Sequence, residues 1–299
     1  MRPVTFFVQN PSILFRKVLL KFGNILPDSF FLRLLFHEKL GYKLNLKNPQ
    51  TYNEKLQWLK LHDRKPIYTV MVDKYEAKNY VANIIGNDFI IPTLGVWDRF
   101  DDIDFNELPN QFVLKTTHDS GSVVICKDRE NFNINQAKKK LETSLKTDFY
   151  LLGREWPYKN VKRRIIAEKY MEDKRTHNDL LDYKFMCFNG SFRCSFVCSD
   201  RNSTDGLKVT FYDIEWEKMP FHRHYPSADY DIPRPSSYTE MIRLAEKLSR
   251  DIPFLRVDFY EINNHPYFGE LTMYPGSGFE EFVPVEWDYI LGSWIKLPK

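Results

Sequence analysis

Two acidic residues near the C-terminal end of the sequence have the type and spacing of a divalent-cation site. Asp258 lies in a run of alternating apolar and polar residues, and Glu270 lies in a second β-rich run after the turn set 263–266. This pattern predicts a hairpin whose antiparallel strands place Glu270 and Thr272 beside Asp258, with Arg256 on the same face. Two carboxylates that close repel unless a cation lies between them, and Mg²⁺ is commonly held by carboxylates together with nucleotide phosphates. The hairpin therefore predicts a magnesium site that shares phosphate oxygens, and the alternative is a solvated strand face.

A lysine followed by a small polar loop is the second feature that suits phosphate chemistry. Lys115 ends a strand-like run, and Ser120, Gly121 and Ser122 lie in the loop before the next strand. Free backbone N–H groups at such a hairpin tip can fold over phosphates, while the lysine supplies a positive charge. The loop is not a P-loop, because that motif opens a helix and here the chain returns to a strand. His118, in the same loop, is either a catalytic base or an exposed turn residue.

The elements that must position these residues are short helices and strands. Hydrophobic periodicity predicts helices at 13–22, 28–40, 56–61, from about 72 to 85, 135–150 and 238–249, the second capped by Asp28 and the third by Thr51 or Asn53. It predicts strands at 90–92, 96–97, 111–115, 123–126, 164–172, 182–189, 192–198 and 208–212 before the hairpin. No internal repeat or low-complexity linker separates them. The 299 residues are therefore expected to form one compact unit or two closely packed domains.

Composition and charge exclude several classes of protein. The 43 basic and 40 acidic residues leave a net charge of +3, too mild to argue for a nucleic-acid partner. The four cysteines show no CxxC spacing, which favours reduced, buried thiols of a cytoplasmic protein. His222 and His224 have no third ligand near them in the sequence, so zinc is not predicted. We expect no signal peptide and no membrane-spanning segment.

The N-terminal segment, residues 1–47, is predicted to be a helical extension with bases among its Phe and Leu residues. The favoured interpretation is an extension packed on the core. The alternative is a pair of interfacial helices that touch the inner membrane surface peripherally through basic residues. The bases that this alternative uses are Arg16, Lys17, Lys21, Arg33 and Lys39.

In combination, these pieces resemble the ATP-grasp enzymes, and most closely the TupA-like ATP-grasp family of teichuronopeptide and other cell-surface polysaccharide synthesis. The resemblance runs from about residue 26 to the C-terminus and is carried by several short motifs. These are Asn53-Glu54-Lys55-x-x-Trp58, Asp73-Lys74-Tyr75, Leu114-Lys115-x-x-His118 and Gly269-Glu270-x-Thr272-x-x-Pro275-Gly276-Ser277-Gly278. The resemblance implies an α+β ATP-grasp fold, in which two α+β subdomains, here about 107–171 and 172–299 of the region 48–299, clasp ATP.

The resemblance also implies roles for individual residues. Lys74 and Lys115 would hold phosphates under a flap of Ser120, Gly121 and Ser122. Asp258 and Glu270 would bind Mg²⁺, and Arg256 would steady the transferred phosphoryl group. Thr272 stands where many relatives have Asn, which puts a second metal ion in doubt. The hinge that reads adenine would be Glu168, Lys169, Tyr170 and Met171, with Glu172 near the ribose and Lys184 and Lys208 as additional phosphate ligands.

The activity that this resemblance implies is ATP-dependent joining of a carboxylate to an amine through an acyl phosphate. The carboxylate would belong to a uronic acid or an amino acid, and the amine to an amino acid or amino sugar. Two alternatives stay open at this point. One is a glycosyltransferase that uses a nucleotide sugar, which would leave the paired lysines and the hinge unexplained. The other is a binding protein that retains the fold without catalysis.

Overall fold

The computed structural model of the chain describes residues 23–173, 180–200, 203 and 206–298. Within these ranges the helices are α1 (Asp28–Leu40), α2 (Tyr52–His62), α3 (Ile67–Val72), α4 (Glu76–Ile85), α5 (Ile134–Leu145), α6 (Phe149–Gly153), α7 (Tyr238–Leu248) and α8 (Glu286–Trp294). The strands are β1 (Thr93–Trp97), β2 (Phe112–Thr116), β3 (Val124–Cys126), β4 (Ile165–Lys169), β5 (Asp182–Phe188), β6 (Ser191–Ser199), β7 (Lys208–Tyr212), β8 (His222–Arg223), β9 (Phe254–Ile262), β10 (His265–Thr272) and β11 (Phe282–Val283).

Two antiparallel sheets form the framework. The first has the strand order β1-β4-β2-β3, and the second has the order β10-β9-β5-β6-β7. Helix α5 packs on the first sheet, where Ala137 and Leu141 join a buried cluster with Phe112 and Leu114. Helix α7 packs on one face of the second sheet, where the ring of Tyr238 lies 5.7 Å from that of Phe185. These two layered units are the α+β architecture that the sequence predicts, and the residue limits given for them stay a prediction.

The hairpin of β9 and β10 turns more tightly than the sequence predicts. Its loop is only Asn263-Asn264, and both residues have positive φ, 53° and 64°. Asparagine tolerates this left-handed conformation, which a two-residue hairpin turn of the right twist requires. Pro266 belongs to β10 rather than to the turn, opposite Glu261. Proline is tolerated there because β10 is the edge strand of its sheet.

The N-terminal helices that the structure describes pack on the core. Thr51 caps α2 by accepting a hydrogen bond from the Glu54 N–H, and the Glu54 side chain accepts one from the Thr51 N–H in return. The apolar side of α1 is buried against Phe279, so α1 does not offer that side to a membrane. The prediction that Asp28 caps α1 is wrong, because Pro27 precedes the helix and Asp28 lies in its first turn. The predicted helix at 13–22, with Arg16, Lys17 and Lys21, lies outside the described residues.

Several predicted boundaries are wrong. The predicted strand at 96–97 is part of β1, which begins at Thr93, whereas the strand predicted at 90–92 is absent apart from an isolated bridge between Ile90 and Phe268. The predicted helix 72–85 begins at Glu76, and the predicted helix 135–150 is divided into α5 and α6. The strand predicted at 164–172 is limited to β4, so Tyr170 and Met171 follow it in irregular structure. No helix in the part of the chain that the structure describes combines the length and apolar character needed to cross a bilayer.

Candidate functional site

Glu270 lies opposite Asp258 on the second sheet, as the sequence predicts, and a one-residue bulge in β10 is the cause. Phe268 pairs with Phe259 and Glu270 pairs with Asp258, so Gly269 is an extra residue between the two pairs. If Gly269 instead paired regularly with Asp258, Glu270 would pair with Val257 and turn toward the α7 face. A Cβ at Gly269 would lie 3.1 Å from Tyr260 Cε2 and 3.2 Å from the Asp258 carbonyl oxygen. Glycine therefore suits the crowded bulge.

Two cations surround the Asp258 carboxylate. Arg256 Nε lies 2.6 Å from Oδ1, and Lys184 Nζ lies 2.5 Å from Oδ2. Lys184 comes from β5, where it pairs directly with Asp258, and its Nζ also lies 2.6 Å from Asp182 Oδ2. Burial by itself raises the pKa of Asp258, but Arg256 and Lys184 outweigh burial and hold that pKa below its usual range. Asp258 is therefore ionised, although its side chain is buried and the residue is only 2% exposed.

Asp258, Glu270 and Thr272 offer oxygen ligands on one face. Thr272 Oγ1 is buried and has no hydrogen-bond partner among the described residues. An orphaned hydroxyl beside two carboxylates fits a hard cation such as Mg²⁺. Nowhere in the described ranges do three acidic, histidine or cysteine side chains converge as a metal cage. This set therefore fits an ion held mainly by phosphates and water.

A second charge cluster lies at the first sheet, around Glu168 of β4. Lys78 Nζ lies 2.5 Å from one carboxylate oxygen of Glu168, and Lys115 Nζ lies 2.6 Å from the other. Burial raises the pKa of Glu168, but the two lysines outweigh burial and lower it below the usual value. Lys78 also donates a 2.6 Å hydrogen bond to the Ile91 carbonyl. Two lysines are thus held on one acid in the part of the fold where the sequence predicts phosphate binding.

Tyr260 links the two clusters electrostatically. Asp182 raises the pKa of Tyr260 most, burial raises it next, and Asp258, Glu270 and Glu168 raise it further. Glu168 belongs to the first sheet and the other acids to the second. The phenol of Tyr260 therefore feels charges from both sheets.

The loop after β2 is tied together at its base. Asp119 accepts hydrogen bonds from the hydroxyls of Thr116 and Ser122, both 2.6 Å long, and from Ser144 of α5 at 2.5 Å. Ser122 is 4% exposed and turned inward, so its hydroxyl belongs to the base of the loop rather than to a flap. Gly121, with φ of 93°, forms the exposed tip together with the residue before it.

His118 is neither a free base nor an exposed turn residue. It is 2% exposed, and its Nε2 lies 3.2 Å from the carbonyl oxygens of Ser144 and Thr147. Burial lowers its pKa, which favours the neutral ring. His118 therefore anchors the loop to α5.

A family model described as TupA-like ATPgrasp matches residues 54–296 of the chain. The chain belongs to the TupA-like ATP-grasp family. The match spans β2–β4 and the second sheet, so both charge clusters lie inside the family region. No curated protein matches this TupA-like chain.

Solved ATP-grasp structures resemble this TupA-like chain at low identity. The D-alanine–D-alanine ligase of Bacillus anthracis, complexed with ATP, is 16% identical, with 68% of this chain and 55% of that chain covered and a TM-score of 0.39. The L-amino acid ligase of Bacillus licheniformis is 12% identical, with 85% and 57% covered and a TM-score of 0.46. An ATP-grasp RimK domain protein of Sphaerobacter thermophilus is 12% identical, with 78% and 70% covered and a TM-score of 0.40. The chain thus spans little more than half the length of the first two, and similarity at this level identifies no substrate.

The predicted lysines of this TupA-like chain do not all lie in the charge clusters. Lys74 lies in the turn before α4, not on a helix, and donates to the Asp119 carbonyl at the base of the loop. Sequence reasoning missed Lys78, one helical turn later. The sequence feature that could have identified Lys78 is its position within the apolar stripe of α4, between Ala77 and Val81. Because α4 packs on that stripe, a lysine there must find a buried acid, and Glu168 is that acid.

Lys208 lies apart from the charge cluster on the second sheet. It pairs with Ser199 at the start of β7, three strands from β9. The register places it on the α7 face, opposite the face of Lys184 and Asp258. Side-chain alternation therefore excludes Lys208 from that cluster. Of the predicted hinge, Glu168 is buried, Lys169 and Glu172 are exposed, and Tyr170 and Met171 are half-buried.

A buried lysine joins α2 to the turn that follows β10. Lys60 is fully buried, and its Nζ donates to the carbonyl oxygens of Gly153 and Ser277, both at 2.7 Å. Ser277 has φ of 55° between two glycines that also have positive φ. Burial lowers the pKa of Lys60 to about 7, while Glu155 acts in the opposite direction. Sequence reasoning missed this cluster because its members lie far apart in the chain.

Proposed function

We propose that this protein is an ATP-dependent carboxylate–amine ligase that forms an amide on a cell-surface polysaccharide or its precursor. The observation that supports this most is the pair of charge clusters. Lys184 and Arg256 gather on Asp258, and two further lysines gather on Glu168. ATP brings several negative charges, and a site that transfers its γ-phosphoryl group must neutralise them. Four cations held in place by buried acids suit that task.

In the first step, the donor carboxylate attacks the γ-phosphate of ATP, and like charges oppose its approach. Arg256 and Lys184 are placed to lower that barrier, because their side chains are fixed before the substrates bind. Bound Mg²⁺, held by Asp258 and Glu270 with Thr272 adjacent, would supply charge neutralisation on the phosphates. The P–O bond to ADP breaks, and the product is an acyl phosphate.

In the second step, an amine displaces phosphate from the acyl phosphate to give an amide. No protein nucleophile is required. The exposed tip at Ser120 and Gly121 is suited to cover the phosphates and exclude water, which would otherwise hydrolyse the acyl phosphate. The firm base of the loop at Asp119 leaves motion to the tip alone.

The substrates that we propose are a uronic acid or an amino acid as the carboxylate, and an amino acid or amino sugar as the amine. Membership of the TupA-like family supports the link to surface polysaccharides. We place the reaction in the cytoplasm, where ATP is available. Peripheral contact with the inner membrane face is tested by flotation with anionic vesicles, and protein that stays unbound contradicts it.

The first test of the function is calorimetric titration with a non-hydrolysable ATP analogue and Mg²⁺, beside UDP-sugars. We expect binding of the ATP analogue that is lost in Lys115→Ala. We also expect Asp258→Asn and Glu270→Gln to lower carboxylate-dependent ADP release at least about a hundredfold. Asp101→Asn and Glu130→Gln remove exposed acids outside the site and serve as matched controls.

Two outcomes contradict the proposal. Binding of a UDP-sugar without binding of the ATP analogue points to a glycosyltransferase. ATP binding without ADP release, for any carboxylate of a panel of uronic and amino acids, points to a binding protein. Unchanged turnover in Asp258→Asn would refute the site assignment alone.

A further inference from the structure

Glu155 is a buried acid that the reaction described above does not use. It precedes the 3₁₀ helix Trp156–Asn160 and is 7% exposed. It forms no ion pair with any residue that the structure describes. A buried carboxylate without a cationic partner is unfavourable, and such groups are retained mainly where they bind something.

Lys60 is the nearest candidate cation for Glu155, and its N–H donors are already used in other hydrogen bonds. Its ammonium group has three N–H donors. They serve Gln57 Oε1 at 2.9 Å and the carbonyl oxygens of Gly153 and Ser277, each at 2.7 Å, and Nζ also lies 3.1 Å from the Ser277 Oγ. Lys60 therefore fixes the segments that surround Glu155, but it forms no direct ion pair with the Glu155 carboxylate.

Glu155 lies within electrostatic reach of the charge cluster on the second sheet. The pKa of Glu155 is raised on balance, mainly by burial and further by Glu270, while Lys60, the Ser277 hydroxyl and Arg256 act in the opposite direction. Tyr158, on the same 3₁₀ helix, also feels the charges of Glu270, Glu155 and Arg256. The groups that interact electrostatically with Glu155 or hydrogen-bond to it are Lys60 of α2, Tyr158, Glu270 of β10, Tyr274, Ser277 and Arg256 of β9.

The charges divide the site into two regions. Lys184 and Arg256 gather around Asp258 and suit the anionic carboxylate and phosphates. Glu155 lies beside the turn after β10, where negative charge is not balanced by a direct ion pair. A primary amine is an ammonium ion at neutral pH, so it is the one substrate of a carboxylate–amine ligase that is drawn to such a carboxylate.

We propose that Glu155 binds the ammonium group of the amine substrate, with the Ser277 hydroxyl as a second hydrogen-bonding group. This inference rests on the proposed ligase function. The substrate class is a primary alkyl amine, as in an amino acid or amino sugar. During the reaction the ammonium group releases one proton to water, and its nitrogen forms the C–N bond at the acyl carbon. The C–O bond to phosphate breaks with its electron pair on oxygen, and the second nitrogen proton leaves on hydrogen phosphate.

The test compares a charged with an uncharged nucleophile. Hydroxylamine is uncharged at neutral pH and traps an acyl phosphate as a hydroxamate, so it needs no carboxylate to bind it. Wild type and Glu155→Gln are assayed with Mg²⁺, ATP and a panel of D-glucuronate, D-galacturonate and L-glutamate. The nucleophile is hydroxylamine, or else glycine, L-lysine or D-glucosamine.

We expect Glu155→Gln to form hydroxamate at a rate within about twofold of wild type. We expect its KM for the amine to rise at least about tenfold with kcat much less affected, because a charge-assisted contact is lost. Asp148→Asn, which removes an exposed acid from the same segment, is the matched control. Thermal melting and binding of the ATP analogue report whether the variant is folded.

Each outcome separates the inference from the function on which it rests. If wild type forms hydroxamate with none of the carboxylates, the proposed ligase function fails and the inference falls with it. If hydroxamate forms and the amine KM is unchanged in Glu155→Gln, the acid is only structural. An equal loss of hydroxamate and of amide in a folded Glu155→Gln variant also overturns the inference. Should Glu155→Gln not fold, Glu155→Asp keeps the charge but shortens its reach, and an unchanged amine KM in that variant contradicts the assignment.

Discussion

Glu270 faces Asp258 across two neighbouring strands because Gly269 is inserted between the pairs on either side of it. The pattern of buried side chains along β10 is consistent with this insertion. Pro266 and Phe268 are buried before the bulge, and Leu271 is buried after it. The side-chain alternation thus changes phase at Gly269, and this change is what returns the second acid to the face of the first.

Deletion of Gly269 is expected to keep the site, because Glu270 would then follow Phe268 directly and still pair with Asp258 in a regular ladder. Mg²⁺-dependent binding of an ATP analogue should therefore stay within about tenfold of wild type. Urea unfolding shows whether the deletion variant is folded, and loss of binding in a folded variant would contradict this register. Gly269→Ala keeps both the register and the bulge, so loss of binding in that variant alone would show that bulk at the bulge matters rather than the register.

Lys78→Met is expected to weaken binding of the ATP analogue more than Lys74→Met does. Lys78 shares the Glu168 carboxylate with Lys115, whereas Lys74 bonds a loop carbonyl. If this cluster binds phosphate, as proposed, loss of one of its two lysines should reduce affinity about tenfold or more. Calorimetric titration of both variants decides between the lysine that the sequence favours and the one that the structure adds. A larger loss in Lys74→Met would reverse this assignment.

Glu168→Gln is expected to destabilise the protein most at neutral pH. Lys78 and Lys115 hold the pKa of Glu168 below its usual value of 4.5, although burial acts in the opposite direction. The stabilisation is therefore fully present above about pH 4.5 and is lost as the pH falls through the lower, folded-state pKa. At pH 7 the variant leaves two lysines without their acid, which should lower the free energy of unfolding by about 3 kcal/mol.

The measurement for Glu168 is urea unfolding of wild type and variant from pH 7 down to pH 3. The difference between the two should shrink below pH 4.5. Glu240→Gln, which removes a solvent-exposed partner of Arg243, is the control and should change stability by less than about 1 kcal/mol. If the difference in free energy of unfolding between wild type and Glu168→Gln stays constant with pH, Glu168 is not an ionised partner of Lys78 and Lys115.

Lys60→Met is expected to change the alkaline side of the stability profile. Burial lowers the pKa of Lys60 from 10.5 to about 7, with Glu155 opposing. Between these values the unfolded chain binds more protons than the folded one, so the free energy of unfolding rises with pH in wild type. The slope from this group is at most about 1.4 kcal/mol per pH unit.

Wild type should therefore gain stability over Lys60→Met between pH 7 and pH 10. The variant should also be less stable at pH 7, because the carbonyl groups of Gly153 and Ser277 lose their donor. Lys159→Met, at an exposed position of the neighbouring 3₁₀ helix, is the control. Parallel profiles for wild type and Lys60→Met would contradict a neutralised Lys60.

Local patterns in the sequence determined the elements and the main acids. Alternation predicted β9 and placed Arg256 and Asp258 on one face, because successive side chains of a strand point to opposite sides. The sequence offered Thr51 or Asn53 as the cap of α2, and the structure shows that Thr51 caps it, in a capping box with Glu54. The short motifs also sufficed to indicate the TupA-like family, which the match over residues 54–296 confirms.

Only the tertiary structure decided which residues share the site. Lys78 meets Glu168 through the packing of α4 on the first sheet, and Lys208 is excluded by strand register. His118 turns inward because Ser144 of α5 supplies a partner, and Ser122 turns inward because its hydroxyl donates to Asp119. Lys60 is brought to the segment of Glu155 by its hydrogen bond to the Gly153 carbonyl, across 93 residues of chain. Periodicity reports which way a side chain points on its own element, whereas a binding site depends on the distances between elements, and these are fixed only when the whole chain packs.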